Sequence, residues 1–203
     1  MADATNEDDK KKEEAYIEAA TAGTDALAKI CGLGNMRLAL VLYDLCALLS
    51  DKGSRQLAID LSGCTGMDST FMGTLVNISS SYAELGGWMC LVNVSEANRG
   101  LLDMLGVSKL MQTRESFPIE PLKVARLYLP PTDDAERRLK LIKKAHERLV
   151  EIDERNQAKF GSFLQMLNAS MASAQERGGP EGEAGDGGGN VGGPEGGQGG
   201  PQA

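Results

Sequence analysis

Gln56-Leu57-Ala58-Ile59-Asp60-Leu61-Ser62-Gly63-Cys64-Thr65-Gly66-Met67-Asp68-Ser69-Thr70-Phe71-Met72-Gly73-Thr74-Leu75 is the stretch whose reading decides the fold. Gln56 to Asp60 reads as a buried strand, and a polar, Gly-bearing loop follows it. Helical spacing begins at Ser69, with Met72, Leu75, Val76 and Ile78 placed to line one face. The Ser69 hydroxyl is thereby expected beside the Asp68 carboxylate at the positive end of a helix. Free N–H groups and the helix dipole favour an anion there by roughly 0.3–1 kcal/mol, which suits a serine that carries a phosphate. Asp, Ser and Thr are also the ordinary N-cap residues, so the local pattern taken alone favours a simple cap.

Upstream, Tyr16 to Ala20 and Ala26 to Gly32 read as short strands joined by a hairpin connection, Thr21 to Asp25. Gly32 and Gly34 lack the third glycine and the acid of a dinucleotide loop. Leu38 to Leu49 is a helix apolar nearly all round, which must be heavily buried or meet a partner. Downstream, the helix from Ser69 runs to Leu85 and stops at Gly86 and Gly87. Trp88 to Val94 is an apolar strand, Ser95 to Leu105 a helix, and Lys109 to Gln112 a last short strand. Strands alternating with helices imply right-handed crossovers and a parallel sheet, with the opening hairpin as its antiparallel member. The expected class is α/β: a mixed sheet of four to five strands with helices, plus a C-terminal helical extension.

The chain of 203 residues divides further by composition. Residues 1–14 are polar and charged and are expected to be flexible. Residues 15–115 form the folded domain, and 116–132 a Pro-containing linker with one strand-like piece at Val124 to Leu129. Residues 133–177 form a long helical extension, opened by Asp133, Asp134 and Glu136 in its first turn as the dipole prefers. Leu139, Ile142, Leu149 and Ile152 make one apolar stripe, and Phe160, Phe163, Leu164 and Leu167 a second. Asp153 to Asn156 interrupt them, so sustained heptads are absent. The pattern fits a helical hairpin or kinked helix docked onto the domain, or else a dimer-forming extension. Residues 178–203 are Gly-rich, with too little apolar surface to offset ordering entropy, and are expected to be disordered.

Net charge of −8 argues against nucleic acid and against an anionic membrane surface as partners. No apolar run approaches the ~20 residues that span a bilayer, and no apolar signal region follows the N-terminal lysines; a cytoplasmic protein is expected. Cys31, Cys46, Cys64 and Cys90 form no Cys-x-x-Cys pair, so they read as reduced thiols in or near a core, with no metal and no cofactor. No catalytic set stands out. A Ser-His-Asp triad would have to use His146, the one histidine, which lies far along the charged helix. Asp60 and Asp68 could pair for acid–base work, but one ends a strand and the other caps a helix, so both already have structural roles.

The string Asp60-Leu61-Ser62, then Met67-Asp68-Ser69-Thr70, then Gly73 and Leu75, set in this strand–helix order, resembles the STAS domain of bacterial anti-sigma factor antagonists over roughly residues 14–115. The sequence departs from the family pattern at Phe71, where many members have glycine, and at Met72, often leucine. These departures bear on partner choice more than on fold. The resemblance implies that Ser69 is a regulatory phosphoacceptor and that Ser62, Asp68, Ser69, Thr70 and Met72 meet the partner. That partner would be an ATP-dependent anti-sigma factor serine kinase, captured when the serine is unmodified and released once it is phosphorylated. A metal-dependent serine phosphatase would reset the switch. The chain would then act in transcription regulation and not as an enzyme. Other STAS proteins imply a different role, as scaffolds or subunits of transport or stress-sensing complexes, with Ser69 a cap or part of a constitutive interface.

Truncation after Arg177 should leave the melting temperature unchanged within error, because the Gly-rich tail has almost nothing to bury. A drop of several degrees in thermal unfolding would show that the tail docks.

Overall fold

The computed structural model describes residues 15–117, 125–127 and 134–177. Six strands form one mixed sheet: β1 (Tyr16–Ala22), β2 (Asp25–Gly34), β3 (Gln56–Met67), β4 (Trp88–Val92), β5 (Gln112–Arg114) and β6 (Ala125–Leu127). Their order across the sheet is β5-β4-β3-β2-β1-β6. β1 pairs antiparallel with both β2 and β6, while β2, β3, β4 and β5 are mutually parallel. The sheet thus gains one strand over the expected four to five. That strand lies within the strand-like piece of the Pro-containing segment, and β6 closes the edge of β1, with Arg126 on Glu18 at 2.9 Å.

The β1–β2 turn is tight, and Gly23 supplies its left-handed φ of 61°. The helices are α1 (Met36–Asp51), α2 (Ser69–Glu84), α3 (Glu96–Met104), α4 (Ala135–Ile152) and α5 (Arg155–Arg177). Ile17, Ala28, Ile30, Leu57, Ile59 and Leu91 from the sheet meet Leu38, Leu42, Leu45 and Leu49 of α1 and Phe71, Leu75 and Ile78 of α2 in one core. The all-round apolar character of α1 is therefore mostly absorbed by the core, leaving Leu48 exposed.

Two expectations are corrected. β3 does not end at Asp60 but runs on to Met67, and what reads as a Gly-bearing loop is strand. The extension follows β2 with register shifts at Lys29/Cys31 and at Gly32/Leu33. Gly63 is needed there, because a Cβ would sit 2.8 Å from the Ile30 carbonyl oxygen. The expected strand Lys109–Gln112 is instead a 3-10 turn at Val107–Lys109, with β5 starting at Gln112. Gly106, at φ 74°, ends α3 and sends the chain into that turn.

The extension is a helical hairpin docked on the domain. It breaks at Asp153, within the polar interruption of the two stripes. The buried residues of α4 are Leu141, Ala145, His146 and Leu149, while Leu139, Ile142 and Ile152 are half-buried. The corner is pinned by the buried Asn156, whose Nδ2 donates to the Leu105 carbonyl at 2.9 Å and to the Leu149 carbonyl at 2.7 Å. The expected flexible N-terminus (1–14) and disordered tail (178–203), and most of the linker, lie outside the described residues.

Candidate functional site around Ser69

Asp68 is the N-cap of α2, as the sequence leads one to expect, and Ser69 is the first helical residue. Asp68 Oδ1 accepts from the Phe71 N–H at 2.8 Å, while Oδ2 accepts from the Met36 N–H at 2.9 Å. One carboxylate therefore serves the first turns of α1 and α2 together, neutralising two dipole ends. The Asp68 N–H donates to the Gly34 carbonyl at 2.9 Å, stitching the end of β3 to the end of β2. Gly34 also makes room for Phe71, since a Cβ there would lie 2.9 Å from the ring. Phe71 is fully buried. The residue that departs from the family's glycine is thus part of the core, not of a partner-facing surface.

Ser69 is half-buried, and its hydroxyl is engaged. Ser69 Oγ lies 2.9 Å from His146 Nε2, and His146 Nδ1 lies 2.8 Å from the Ile142 carbonyl oxygen. A carbonyl only accepts, so Nδ1 carries the proton, and in the neutral ring Nε2 accepts from the Ser69 hydroxyl. Burial lowers the His146 pKa below 6.5, with the Ile142 hydrogen bond and the Asp68 charge opposing it. The ring is stacked edge-on with Phe160 and tilted against Phe163, both at 4.9 Å between centroids. The histidine expected far from Ser69 is therefore its direct partner. Only folding reveals this, because His146 lies 77 residues beyond Ser69 in the sequence. A weak signal existed in its place beside Ala145 and Leu149, on a turn of α4 that is otherwise charged.

The pair does not extend to a triad. The two oxygens of Asp68 are committed to backbone N–H groups, and Nδ1 faces a neutral carbonyl. Among the described residues no carboxylate is hydrogen-bonded to the imidazole, and the Asp68 charge only partly offsets the effect of burial. Asp60 is likewise occupied, with Oδ1 accepting from the Ser62 N–H at 2.8 Å and from Asn93 Nδ2 at 3.0 Å. Of the other expected contact residues, Ser62 is exposed on β3, while Thr70 and Met72 are buried. The structure thus brings Asp68 and Ser69 together, leaves Ser62 on the strand, and turns Thr70 and Met72 inward. All four cysteines are free thiols, three of them buried. Among the described residues, no group of three or more His, Cys, Asp or Glu is placed to hold a metal. No helix among them is long and apolar enough to cross a membrane.

The family model of the STAS domain matches residues 13–118, just over half of the sequence. The chain belongs to the STAS domain family. The match covers β1 to β5 and α1 to α3 and stops before β6, α4 and α5. Solved structures of similar fold include the Bacillus anti-sigma factor antagonist SpoIIAA in its unphosphorylated form, 14% identical, with a TM-score of 0.45 over 50% of this chain and 90% of that one. An anti-sigma factor antagonist from Mycobacterium paratuberculosis is 16% identical, at TM-score 0.43 over 52% and 90%. A sulfate transporter family protein from Wolinella succinogenes is 18% identical, at TM-score 0.41 over 45% and 74%. Among curated proteins, none matches the sequence. In this STAS domain the serine that follows the helix-capping aspartate is Ser69, and it lies under a helix that the family match does not include.

Asp68→Ala should lower unfolding stability by about 3–6 kcal/mol, since hydrogen bonds to a charged group contribute roughly 1.5–3 kcal/mol each and two are lost. Denaturant unfolding measures it, and a loss no larger than that of an ordinary single cap would contradict the two-helix role. His146 is the sole histidine, so its ring gives one NMR titration curve. Its native pKa lies below the unfolded 6.5, so its contribution to stability is complete above pH 6.5 and lost as pH falls through the native value. The wild type should therefore lose more stability than His146→Asn on acidification from about pH 7 to about pH 5.5. Titration of the ring at or above 6.5 would contradict the buried, neutral assignment.

Proposed function

We propose that this chain is a phosphorylation-switched protein-binding module of the anti-sigma factor antagonist type, with Ser69 as phosphoacceptor. Unmodified, it would bind and sequester an anti-sigma factor serine kinase in the bacterial cytoplasm. Phosphorylated, it would release that kinase, and a serine phosphatase would reset it. The observation that supports the reading most directly is the placement of Ser69 at the first position of α2, beside the carboxylate that caps the helix. A phosphoserine adds about −1.5 to −2 charges. The helix N-terminus favours that charge within the domain, whereas a partner packed over it must desolvate it. The switch therefore acts on binding. Ser62, Asp68 and Ser69 would form the contact surface, with Thr70 and Met72 supporting it from the inside of α2. No step calls on a metal, a cofactor or bond chemistry by this chain.

A second reading has one observation in its favour. The Ser69 hydroxyl is already hydrogen-bonded by the chain's own His146. A STAS scaffold or transport-complex subunit with a constitutive interface would use the serine in that way, without a phospho-switch.

Incubating the full chain with ATP and the host's serine kinases, followed by mass mapping, separates the readings. Phosphate is expected on Ser69, and Ser69→Ala should abolish uptake. That substitution should cost only about 0.5–1.5 kcal/mol of stability, the value of the hydrogen bond to His146. Phosphate on Ser62 or Thr70 in the wild type would overturn the assignment, and no uptake at all would favour the scaffold.

A further inference from the structure

The outer face of α2 already has an occupant. Along α2 that face is built from Ser69, Gly73, Asn77 and Ser80, and α4 lies across it. At one end His146 meets the Ser69 hydroxyl. In the middle the backbones touch, and a Cβ on Gly73 would sit 2.3 Å from the Ala145 carbonyl oxygen. At the other end Arg148 Nη2 donates to Ser80 Oγ at 2.7 Å. Lys144 Nζ reaches the Tyr43 hydroxyl at 3.2 Å, and Arg137 pairs with Asp44, both on α1.

Two properties mark this seam. The covered face of α2 is small and polar, the composition of a helix face that water can wet. Its hydrogen bonding is also incomplete. Asn77 Nδ2 and Arg148 Nε are buried in the seam and make no hydrogen bond. Beside them the seam opens into a cleft lined by Asn77, Ser80, Glu84, Lys144, Glu147 and Glu151. Leu141, Ala145 and Leu149 hold α4 down with apolar contacts, while the polar groups beneath it would regain partners on release.

We propose that the α4–α5 hairpin is an intramolecular competitor for the partner-docking face of α2, so that the protein alternates between a closed form with Ser69 covered and an open form in which a partner protein takes the place of α4. The partner fits the face by the same chemistry as α4: a helix with a small residue opposite Gly73, and polar groups that satisfy Asn77 and Ser69. The inference rests on the reading of this end of α2 as the partner-facing surface. It adds that binding and modification of Ser69 are limited by opening.

The test needs no kinase. Asn77→Cys places a thiol under α4 in the full chain, and its alkylation by iodoacetamide is followed by mass spectrometry. Buried Cys46 and Cys90 report in the same spectra whether the domain stays folded. Gly73→Ala, which forces the backbones apart, and Ala145→Glu, which puts a charge in the seam from the α4 side, are each added to it. Each should speed labelling at position 77 about tenfold or more, the ratio given by a loss of roughly 1.4 kcal/mol of closure, with Cys46 and Cys90 still protected. Unchanged labelling at position 77 in both would overturn the proposal. So would loss of Cys46 and Cys90 protection in step with position 77, which would make α4 an inseparable part of the fold. Amide exchange of the unsubstituted chain gives an independent reading. α4 and α5 should exchange faster than β3 and β4, and exchange at one common rate would also overturn it. If phosphate maps away from Ser69 while labelling responds as expected, the phospho-switch falls and the competing hairpin stands.

Discussion

The carboxylate of Asp68 is the constraint on which the site depends. Two helices, α1 and α2, begin at the same end of the sheet, and each brings unsatisfied N–H groups to its first turn. Asp68 answers one from each, Met36 and Phe71, and its own N–H is held by Gly34. The ends of β2 and β3 and the starts of both helices are thereby fixed to a single residue. Ser69 inherits its position from this arrangement: whatever follows the cap must be the first residue of α2, at the end where the dipole favours a negative charge. Gly34 and Phe71 complete the corner from below, the missing side chain of one making room for the ring of the other.

The hairpin outside the family match follows a different energetic logic. Burying Leu141 and Leu149 contributes about 1.5–3 kcal/mol each. Leaving the polar atoms of Asn77 and Arg148 buried without partners costs about 1–3 kcal/mol each. The unpartnered polar atoms thus cancel part of the apolar gain across the α2–α4 seam. At the sheet, by contrast, Leu57, Ile59 and Leu91 are buried among apolar neighbours with no such deficit. The Asn156 bonds to the α3 and α4 carbonyls, and the contact of Lys159 Nζ with the Met104 carbonyl at 2.9 Å, hold the far corner of the hairpin independently of that seam.

His146 joins the two systems. Its ring touches Ser69 on α2 and Phe160 and Phe163 on α5, and its Nδ1 is fixed by its own helix. Burial keeps it neutral, so it accepts the serine proton in a hydrogen bond without an ion pair. A phosphate on Ser69 would bring a strong anion to that nitrogen and change the contact at once, which couples the state of the serine to the seat of α4.

The sequence by itself determined the strand–helix order, the start of α2, the place of the helical break near Asp153 and the STAS family, because each is written in local periodicity, caps and a short contiguous motif. It misplaced the end of β3, where Gly63 and Gly66 look like loop residues but belong to a strand whose register shifts along β2. It also drew one apolar stripe on α4 from Leu139, Ile142, Leu149 and Ile152, of which Leu149 is buried while Leu141 and Ala145, outside the stripe, are buried beside it. The burial of Ala145 goes with its close approach to Gly73, where a Cβ would meet the Ala145 carbonyl oxygen at 2.3 Å. Only tertiary structure brought His146 to Ser69, buried Phe71 beneath the Asp68 corner, and laid α4 over the serine. These are contacts between residues with no common local pattern, decided by how helix backbones approach each other and not by any residue's own preference.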